Sequence, residues 1–291
     1  MLAEVGATWG KDVPGNIRKT IDAYTPLLAT SPKGDIRIIK DIPYGPGVRN
    51  LLDVYQPRSA TSTKQPIVVF LHGGAYVRGE RNLNAEIYAN VPTYFARHGM
   101  LGVNATYQLA PASKWPSAAQ DVGEIVRWLK LNAEKYGGDP ERIFLIGHSA
   151  GATHIATYAF NPELQAQAGT DVAGLVLLSG RYEFDPKADD PNLAAFQAYF
   201  GTDRTRYPQM SPISHIATAP RIPLFIGIAE YDNPDLDMQG ALLYAAVCKR
   251  DRACPRFLRM EHHNHVSMVL QFNTEDEQLG AEILNFVQRG R

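Results

Sequence analysis

The sequence has no apolar run long enough to cross a membrane. Its longest apolar stretches, such as residues 222–229, reach about eight residues, whereas a membrane-spanning helix needs roughly 18. Residues 1–6 contain no basic segment followed by an apolar one. We therefore expect neither a membrane span nor a secretory signal, and we predict a cytoplasmic protein.

The chain also lacks an excess of either charge. It contains 29 lysines and arginines against 30 aspartates and glutamates, a net charge of −1. Proteins that bind nucleic acid or anionic membranes usually carry a basic patch or excess. The composition therefore argues against nucleic acid as a partner. It leaves the oligomeric state open, a homodimer included.

Cysteine is scarce, since Cys248 and Cys254 are the only two. They could pair with each other, but two thiols in a chain without a secretory signal are more often free and reduced. The sequence does not decide whether they pair, although free thiols would agree with a cytoplasmic location.

What is present is a globular composition with a repeating pattern. The 291 residues are 45% hydrophobic and 20% charged, enough for the core of one α/β domain. Strand-length apolar runs alternate with helical patterns from about residue 66 onward. This alternation predicts a mostly parallel sheet of about eight strands, with helices on both faces.

The predicted elements divide the chain into an N-terminal segment and one catalytic domain. Residues 1–35 form a helical segment that could cap the active site or pack outside, and residues 36–291 form the domain. A long interruption at 181–221, with a short helix at 193–200, is expected to line part of the binding site. The strands are expected at residues 36–42 and 48–55 (a hairpin), 66–71, 101–107, 143–146, 172–178, 222–229 and 256–260. The helices are expected at residues 84–98, 117–136, 236–249 and 276–289.

A G-x-S-x-G motif follows the most apolar strand and places Ser149 between Gly147 and Gly151. Small residues allow the tight strand-to-helix turn that lifts a serine hydroxyl out of a sheet. The N-terminus of the following helix would favour an oxyanion there. Alone, the motif could be an ordinary glycine-rich turn, so its meaning depends on a base and an acid elsewhere.

A serine hydroxyl needs a base to take its proton and a third group to orient that base. The acid candidates follow the strand at 222–229, where Asp232 is the best placed and Glu230 is the reserve. Asp235 and Asp237 are typical of the first residues of a helix, where acids complement the helix dipole. The base candidates are the three histidines at positions 262, 263 and 265. A metal site is not expected, because their spacing fits no helical zinc motif and no cysteine lies near.

The loop after the strand at 66–71 reads His72-Gly73-Gly74-Ala75. Glycines at such a point let backbone N–H groups approach a substrate closely. We expect the N–H groups of Gly74 and Ala75, with that of Ala150 after the serine, to form an oxyanion hole.

Several segments, in this order, resemble the α/β-hydrolase superfamily, and within it the hormone-sensitive-lipase-like carboxylesterases and their feruloyl-esterase-like relatives. The similar segments are His72-Gly73-Gly74-Ala75 (HGGG or HGGA), residues 107–111 (YRLAP), residues 115–121 (FPAAxxD), residues 138–143 (GGDPxRI), residues 147–151 (GxSAG), residues 229–232 (GExD) and residues 263–267 (HxHxS). Gln108 stands where the family usually has arginine, and Ala229 replaces a glycine. The resemblance implies that His265, rather than His263, is the catalytic histidine.

The resemblance implies a serine carboxylesterase that acts on short to medium acyl or aryl esters without a cofactor or a metal. Ser149 would be the nucleophile, His265 the base and Asp232 the acid. The expected pocket residues are Gly73, Tyr76, His148, Phe200 and Val266, with Phe196 and Tyr199 as further candidates. These aromatic residues could equally form a buried cluster.

Two other functions remain open at this stage. An arylformamidase would share the fold and an HGG-type loop, but it usually carries a bulky aromatic pair where this chain has Ala75-Tyr76. A non-catalytic binding protein of the same fold would be expected to have lost the serine, the acid or the histidine.

Overall fold

The computed structural model describes residues 2–58, 64–165 and 169–289. Residue 1 of the predicted N-terminal segment, and residues 59–63, 166–168, 290 and 291 of the predicted domain, lie outside these ranges.

The described residues form an eight-stranded sheet in the order β1-β2-β4-β3-β5-β6-β7-β8. The first two strands pair antiparallel, β2 also pairs antiparallel with β4, and every later pair is parallel. The strands are β1 (Ile36–Pro43), β2 (Leu51–Pro57), β3 (Gln65–Leu71), β4 (Leu101–Ala105), β5 (Gly138–His148), β6 (Gly174–Leu178), β7 (Leu224–Tyr231) and β8 (Arg256–Asn264).

Helices pack on both faces of the sheet, as predicted, and each face has its own hydrophobic core. The α-helices are α1 (Leu2–Ala7), α2 (Val13–Thr30), α3 (Asn90–Arg97), α4 (Ser117–Asn132), α5 (Ala150–Phe160), α6 (Leu193–Phe200), α7 (Tyr207–Met210), α8 (Leu236–Asp251), α9 (Ser267–Leu270) and α10 (Gln278–Arg289). Across the described ranges, no helix is both long and apolar enough to serve as a membrane span.

The strand order reverses direction at β3, which has β4 on one side and β5 on the other. In open α/β sheets, ligands bind at the carboxyl ends of the strands beside such a reversal. Here those ends carry the loop that begins at His72 and the turn at Ser149. The topology therefore brings the two glycine motifs together at one edge of the sheet.

The N-terminal helix α2 packs over that edge. Its N-terminus is capped by Asp12, whose Oδ1 accepts a 3.0 Å hydrogen bond from the Gly15 N–H. The buried side chains of Tyr24 and Leu28 share a small core with Val266. The N-terminal segment thus contacts the chain directly beyond β8.

Helix α3 begins six residues later than the start predicted at residue 84. The side chain of Asn84 accepts hydrogen bonds from the N–H groups of Glu86 and Ile87, which is a turn rather than a helix. Tyr88 has a positive φ of 73°, which no α-helix allows. A local side-chain turn therefore replaces the predicted first helical turns.

Cys248 and Cys254, whose pairing the sequence left open, form a disulfide. Arg252 ends α8 in the left-handed conformation with a φ of 56°, and this reverses the chain. The reversal brings the two Cα atoms within 4.3 Å. The support that free thiols gave to a cytoplasmic location is thereby removed.

Candidate active site

Ser149 lies at a strained turn between β5 and α5. Its φ of 56° and ψ of −121° are unusual for a residue with a side chain. A Cβ at Gly147 would lie 2.5 Å from the Ala152 nitrogen, and one at Gly151 would lie 2.3 Å from the Leu71 carbonyl oxygen. The glycines of the motif are therefore required by close backbone contacts, and the turn presents Ser149 at the edge of the sheet.

Asp232 and His265 come together from the ends of β7 and β8. His265 Nδ1 donates a 2.6 Å hydrogen bond to Asp232 Oδ1, and both side chains are at least 95% buried. The His265 N–H also donates to the Tyr231 carbonyl oxygen at 3.1 Å. These contacts fix the orientation of the imidazole and leave Nε2 as its outer nitrogen.

The carboxylate of Asp232 is held by three further donors. Its Oδ2 accepts hydrogen bonds from Ser179 Oγ at 2.5 Å and from the Ala229 N–H at 3.1 Å, and its Oδ1 accepts from the Asn233 N–H at 2.9 Å. Burial raises the pKa of Asp232, but the hydrogen bonds from His265, Ser179 and Ala229 outweigh burial and hold the pKa below its ordinary value. Asp232 is therefore ionised at neutral pH.

The other two histidines of the cluster have different surroundings. His263 is bonded to Ser267 Oγ at 3.1 Å and to Asp276 Oδ2 at 3.0 Å, away from Ser149. His262 is exposed, and its backbone N–H donates to Glu230. Within the described residues, no three histidine, cysteine or acidic side chains form a group that could hold a metal ion.

His148, next to Ser149, supports the backbone of His265. Its Nε2 donates to the His265 carbonyl oxygen at 2.7 Å, and the two rings lie 4.6 Å apart. Burial lowers the pKa of His148 to about 3, so the ring is neutral. It fixes the position of His265 without adding a positive charge beside it.

The loop from Gly73 to Gly79 supplies free backbone donors next to Ser149. Gly74 has a φ of 147°, and a Cβ there would lie 1.8 Å from the Arg78 carbonyl oxygen, so only glycine fits. Among the described residues, no acceptor engages the N–H groups of Gly74, Ala75 or Ala150. Three unengaged donors therefore lie close to the serine.

Two cavities meet at Ser149. The larger, of about 750 Å³, is lined by Gly74, Ser149 and His265 and by apolar side chains of α2. Within the described residues, no hydrogen bond joins Ser149 Oγ to His265 Nε2, although both residues lie on this wall. Such catalytic hydrogen bonds are often long until a substrate is bound.

The smaller cavity has a volume of about 40 Å³ and is also lined by Ser149. Ala75 and Ser149 line both cavities, whereas His265 lines only the larger one. The wall of the smaller cavity includes Arg181 and Asp190, which form a buried ion pair at 2.6 Å.

The predicted pocket residues are divided between the two cavities. Gly73, His148 and Val266 line the large cavity, and Tyr76 lines the small one. Phe200 lines neither of these two cavities. It is buried against other aromatic rings, with centroid distances of 4.4 Å to Phe184, 4.4 Å to Phe196, 4.8 Å to Tyr199 and 5.0 Å to Tyr76.

Two residues that the sequence did not indicate support the site. Ser179 holds the second oxygen of Asp232, and it directly follows β6, at the same sheet edge as Ser149. Asn264 accepts hydrogen bonds from the N–H groups of Val266 and Ser267, and its Nδ2 donates to Thr20 Oγ1 on α2 at 3.0 Å. A polar residue at the carboxyl end of a buried strand is the signal that could have identified Ser179.

The sequence is similar to known esterases. A protein-family model, BD-FAE, matches residues 52–246. Esterase LipC of Mycobacterium tuberculosis is 31% identical over 161 residues, which cover 53% of this chain and 39% of LipC. A probable isoprenylcysteine alpha-carbonyl methylesterase, ICME, of Oryza sativa subsp. japonica is 26% identical over 255 residues, which cover 81% of this chain and 59% of that protein. The chain thus spans less than two thirds of the length of either relative.

The structure is similar to that of esterase B from Lactobacillus rhamnosis (HN001). The TM-score is 0.78 at 19% sequence identity, and the match covers 100% of this chain and 95% of that chain. At this level of identity the likeness shows the fold. The predicted α/β-hydrolase fold, with a mostly parallel sheet of eight strands, is confirmed.

Proposed function

The chain belongs to the BD-FAE family, and on that premise we propose that it is a serine carboxylesterase. The observation that carries the proposal is that Ser149 and His265 line one cavity, while Asp232 lies hydrogen-bonded behind His265 at 2.6 Å. A nucleophile, a base and an acid in this arrangement are typical of acyl transfer through a covalent intermediate.

In the proposed reaction, Ser149 Oγ attacks the ester carbonyl carbon and His265 Nε2 takes the hydroxyl proton. The carbonyl oxygen becomes an oxyanion, which the N–H groups of Gly74, Ala75 and Ala150 stabilise. His265 then gives its proton to the leaving alcohol as the C–O bond breaks, and the acyl group stays on Ser149. Water, activated by His265, attacks the acyl-enzyme and releases the acid.

The two cavities fit the two halves of an ester. His265 has to reach the oxygen of the leaving alcohol, so the alcohol lies on the side where His265 lines the wall. That side is the cavity of about 750 Å³. The acyl group then enters the cavity of about 40 Å³, which His265 does not line. Because one water needs roughly 10–15 Å³ on this scale, the small cavity holds about three non-hydrogen atoms.

We therefore propose short acyl groups, from acetyl to about butyryl, on a large alcohol or phenol. Residues 1–35 would act as a cap of the large cavity beside a single catalytic domain at 36–291. This assignment is supported by the side chains of Val13, Ile17 and Ile21, which form part of the wall of that cavity.

The test is release of nitrophenol from acetyl to octanoyl esters by wild type, Ser149→Ala and the exposed control Ser214→Ala. We expect activity that is highest for the shortest acyl groups. Loss of about 10³-fold or more is expected in Ser149→Ala, with no loss in the control. N-formylkynurenine serves as the amide comparison. An amide that is turned over faster than every ester would favour a formamidase, and full activity in Ser149→Ala would refute the proposed nucleophile.

A further inference from the structure

The large cavity carries two positive charges and no negative one. Arg18 and Arg78 contribute to its wall, and none of the residues that line it is an aspartate or a glutamate. Asp232 lies behind His265 and does not reach the cavity. The chain as a whole has a net charge of −1, so this local excess does not follow from the composition.

Neither of these two guanidinium groups is neutralised by the protein. Within the described ranges, no carboxylate oxygen lies within 4.0 Å of either group. The acid nearest to Arg78 in the sequence, Glu80, is instead paired with Arg49 and lies 4.0 Å from Arg81. The loop thus leaves the charge of Arg78 free while pairing the arginines around it.

The backbone of Arg78 is fixed by the loop that carries the proposed oxyanion donors. Its N–H donates to the Gly74 carbonyl oxygen at 3.1 Å. Burial raises the pKa of Tyr88, another wall residue, to about 12, and the charge of Arg78 opposes this rise. Arg18 approaches the same cavity from the exposed side of α2. Two separate elements therefore place their cations around one space.

We propose that the alcohol half of the substrate carries an oxyanion, a carboxylate or a phosphate-type group, that Arg18 and Arg78 bind. This inference rests on the proposed esterase function and on the assignment of the alcohol to the large cavity. The wall of the same cavity also includes the apolar residues Ile17, Leu83 and Ile87. The proposed substrate is thus an ester whose alcohol combines an apolar part with an anionic group.

The test compares 4-acetoxybenzoate, 4-acetoxyphenylacetate and 3-(4-acetoxyphenyl)propanoate, each with its neutral primary amide. The measured quantity is the ratio of kcat/KM for the acid to kcat/KM for its amide. Each ratio in a variant is divided by the wild-type ratio, so intrinsic reactivity cancels. A phosphonate in place of the carboxylate shows which oxyanion is preferred. The variants are Arg18→Gln, Arg78→Gln, the double variant and the exposed control Arg37→Gln.

We expect the double variant to lose about tenfold in this ratio, from the usual strength of exposed charge pairs. The loss should appear mainly in KM, and Arg37→Gln should show none. In wild type the preference for the acid over its amide should vanish near 1 M salt, where charges are screened within about 3 Å. The variant Arg18→Glu/Arg78→Glu should favour the amides.

An unchanged ratio in the double variant, or an equal loss in Arg37→Gln, would overturn the inference. Failure of the proposed function gives a different result, because no acetate ester would then be hydrolysed faster by wild type than by Ser149→Ala.

Discussion

The hydroxyl of Ser179 donates a 2.5 Å hydrogen bond to Asp232 Oδ2, the carboxylate oxygen that His265 does not use. Ser179 therefore supplies a donor to Oδ2, while Oδ1 accepts from His265 and the Asn233 N–H. It does not line the large cavity that holds His265, but it does contribute to the wall of the small cavity. We assign it as a positioning residue.

Replacing Ser179 with alanine should have a moderate effect on rate and a distinct effect on pH dependence. The hydrogen bond from Ser179 is one of those that lower the pKa of Asp232. Without it this pKa rises, so Asp232 is protonated at a higher pH and activity on the acid side is lost earlier. We expect about tenfold lower kcat at neutral pH, and an acid limb of the kcat/KM profile that moves to higher pH. If kcat/KM of Ser179→Ala were lower at every pH but the acid limb stayed at the same pH, Ser179 would have a purely structural role.

Asp232→Asn should be far more damaging than Ser179→Ala. An amide in place of the carboxylate can hold His265 in the wrong tautomer and gives no charge to stabilise the imidazolium. We expect kcat for an acetate ester to fall by about 10³- to 10⁴-fold, with an unchanged urea midpoint of unfolding. Loss of less than tenfold would show that another acid supports His265, and Glu230 would be the first to replace.

Asn264 should contribute to stability because it joins the turn at His265 to helix α2. Its side chain is fully buried, and it accepts from Val266 and Ser267 while donating to Thr20. Asn264→Ala leaves two buried N–H groups unpaired, which should cost about 3 kcal/mol in the free energy of unfolding. Thr20→Val removes the hydroxyl's bonds to Asn264 and to the Asn16 carbonyl oxygen but keeps the N–H groups of Val266 and Ser267 paired, and it should cost about 1 kcal/mol. If urea unfolding gave the same loss of stability for Asn264→Ala and Thr20→Val, the larger contribution of the paired N–H groups would be contradicted.

Three buried histidines should make the fold labile to acid. Burial lowers the pKa of His72 to about 4, and those of His148 and His154 to about 3, from an ordinary value of 6.5. All three are neutral in the folded state, whereas the unfolded chain protonates them below pH 6.5. Protons then favour the unfolded state, so stability falls as pH decreases from about 6.5 towards 4. The combined slope is about 4 kcal/mol per pH unit.

His154→Gln tests this slope without touching the proposed catalytic residues. His154 lies among the rings of Tyr76, Tyr107 and Tyr199, and its Nε2 has no partner within the described residues. Urea unfolding at pH 7.5, 5.5 and 4.5 should show a slope that is lower by about 1.4 kcal/mol per pH unit. The exposed control Gln120→Ala should keep the slope of the wild type. If the free energy of unfolding of His154→Gln had the same pH slope as that of wild type, His154 would not contribute to the acid lability.

Local motifs in the sequence were sufficient to predict the sheet and the position of Ser149. Only glycine fits at positions 147 and 151, because the backbone contacts of such a turn leave no room for a Cβ. The motif alone therefore predicts the geometry of the turn. The contact of Ser179 with Asp232 and that of Asn264 with Thr20 could not be found in this way, because these partners lie 53 and 244 residues away along the chain. For Phe200, apolarity predicts burial but does not tell which face of a short helix meets a cavity.

The ion pair of Arg181 and Asp190 should set the length of the acyl group. Both residues line the small cavity, and their side chains are only 10% and 7% exposed. Removing Asp190 alone leaves a buried guanidinium without its partner, which should cost about 3–5 kcal/mol in stability. Arg181→Met/Asp190→Ala removes both charges, so it should unfold at a urea concentration close to that of wild type.

The same double variant also replaces a carboxylate at the cavity wall with a methyl group and therefore enlarges the proposed acyl subsite. On nitrophenyl esters, we expect the optimum of kcat/KM to move by about two carbons, from acetyl to butyryl, since each buried methylene is worth about 0.8 kcal/mol. Arg204→Met/Asp185→Ala removes an exposed ion pair and is the matched control. If the optimum stays at acetyl in a folded double variant, the acyl group does not occupy the small cavity. The assignment of the alcohol to the large cavity would then have to be reversed.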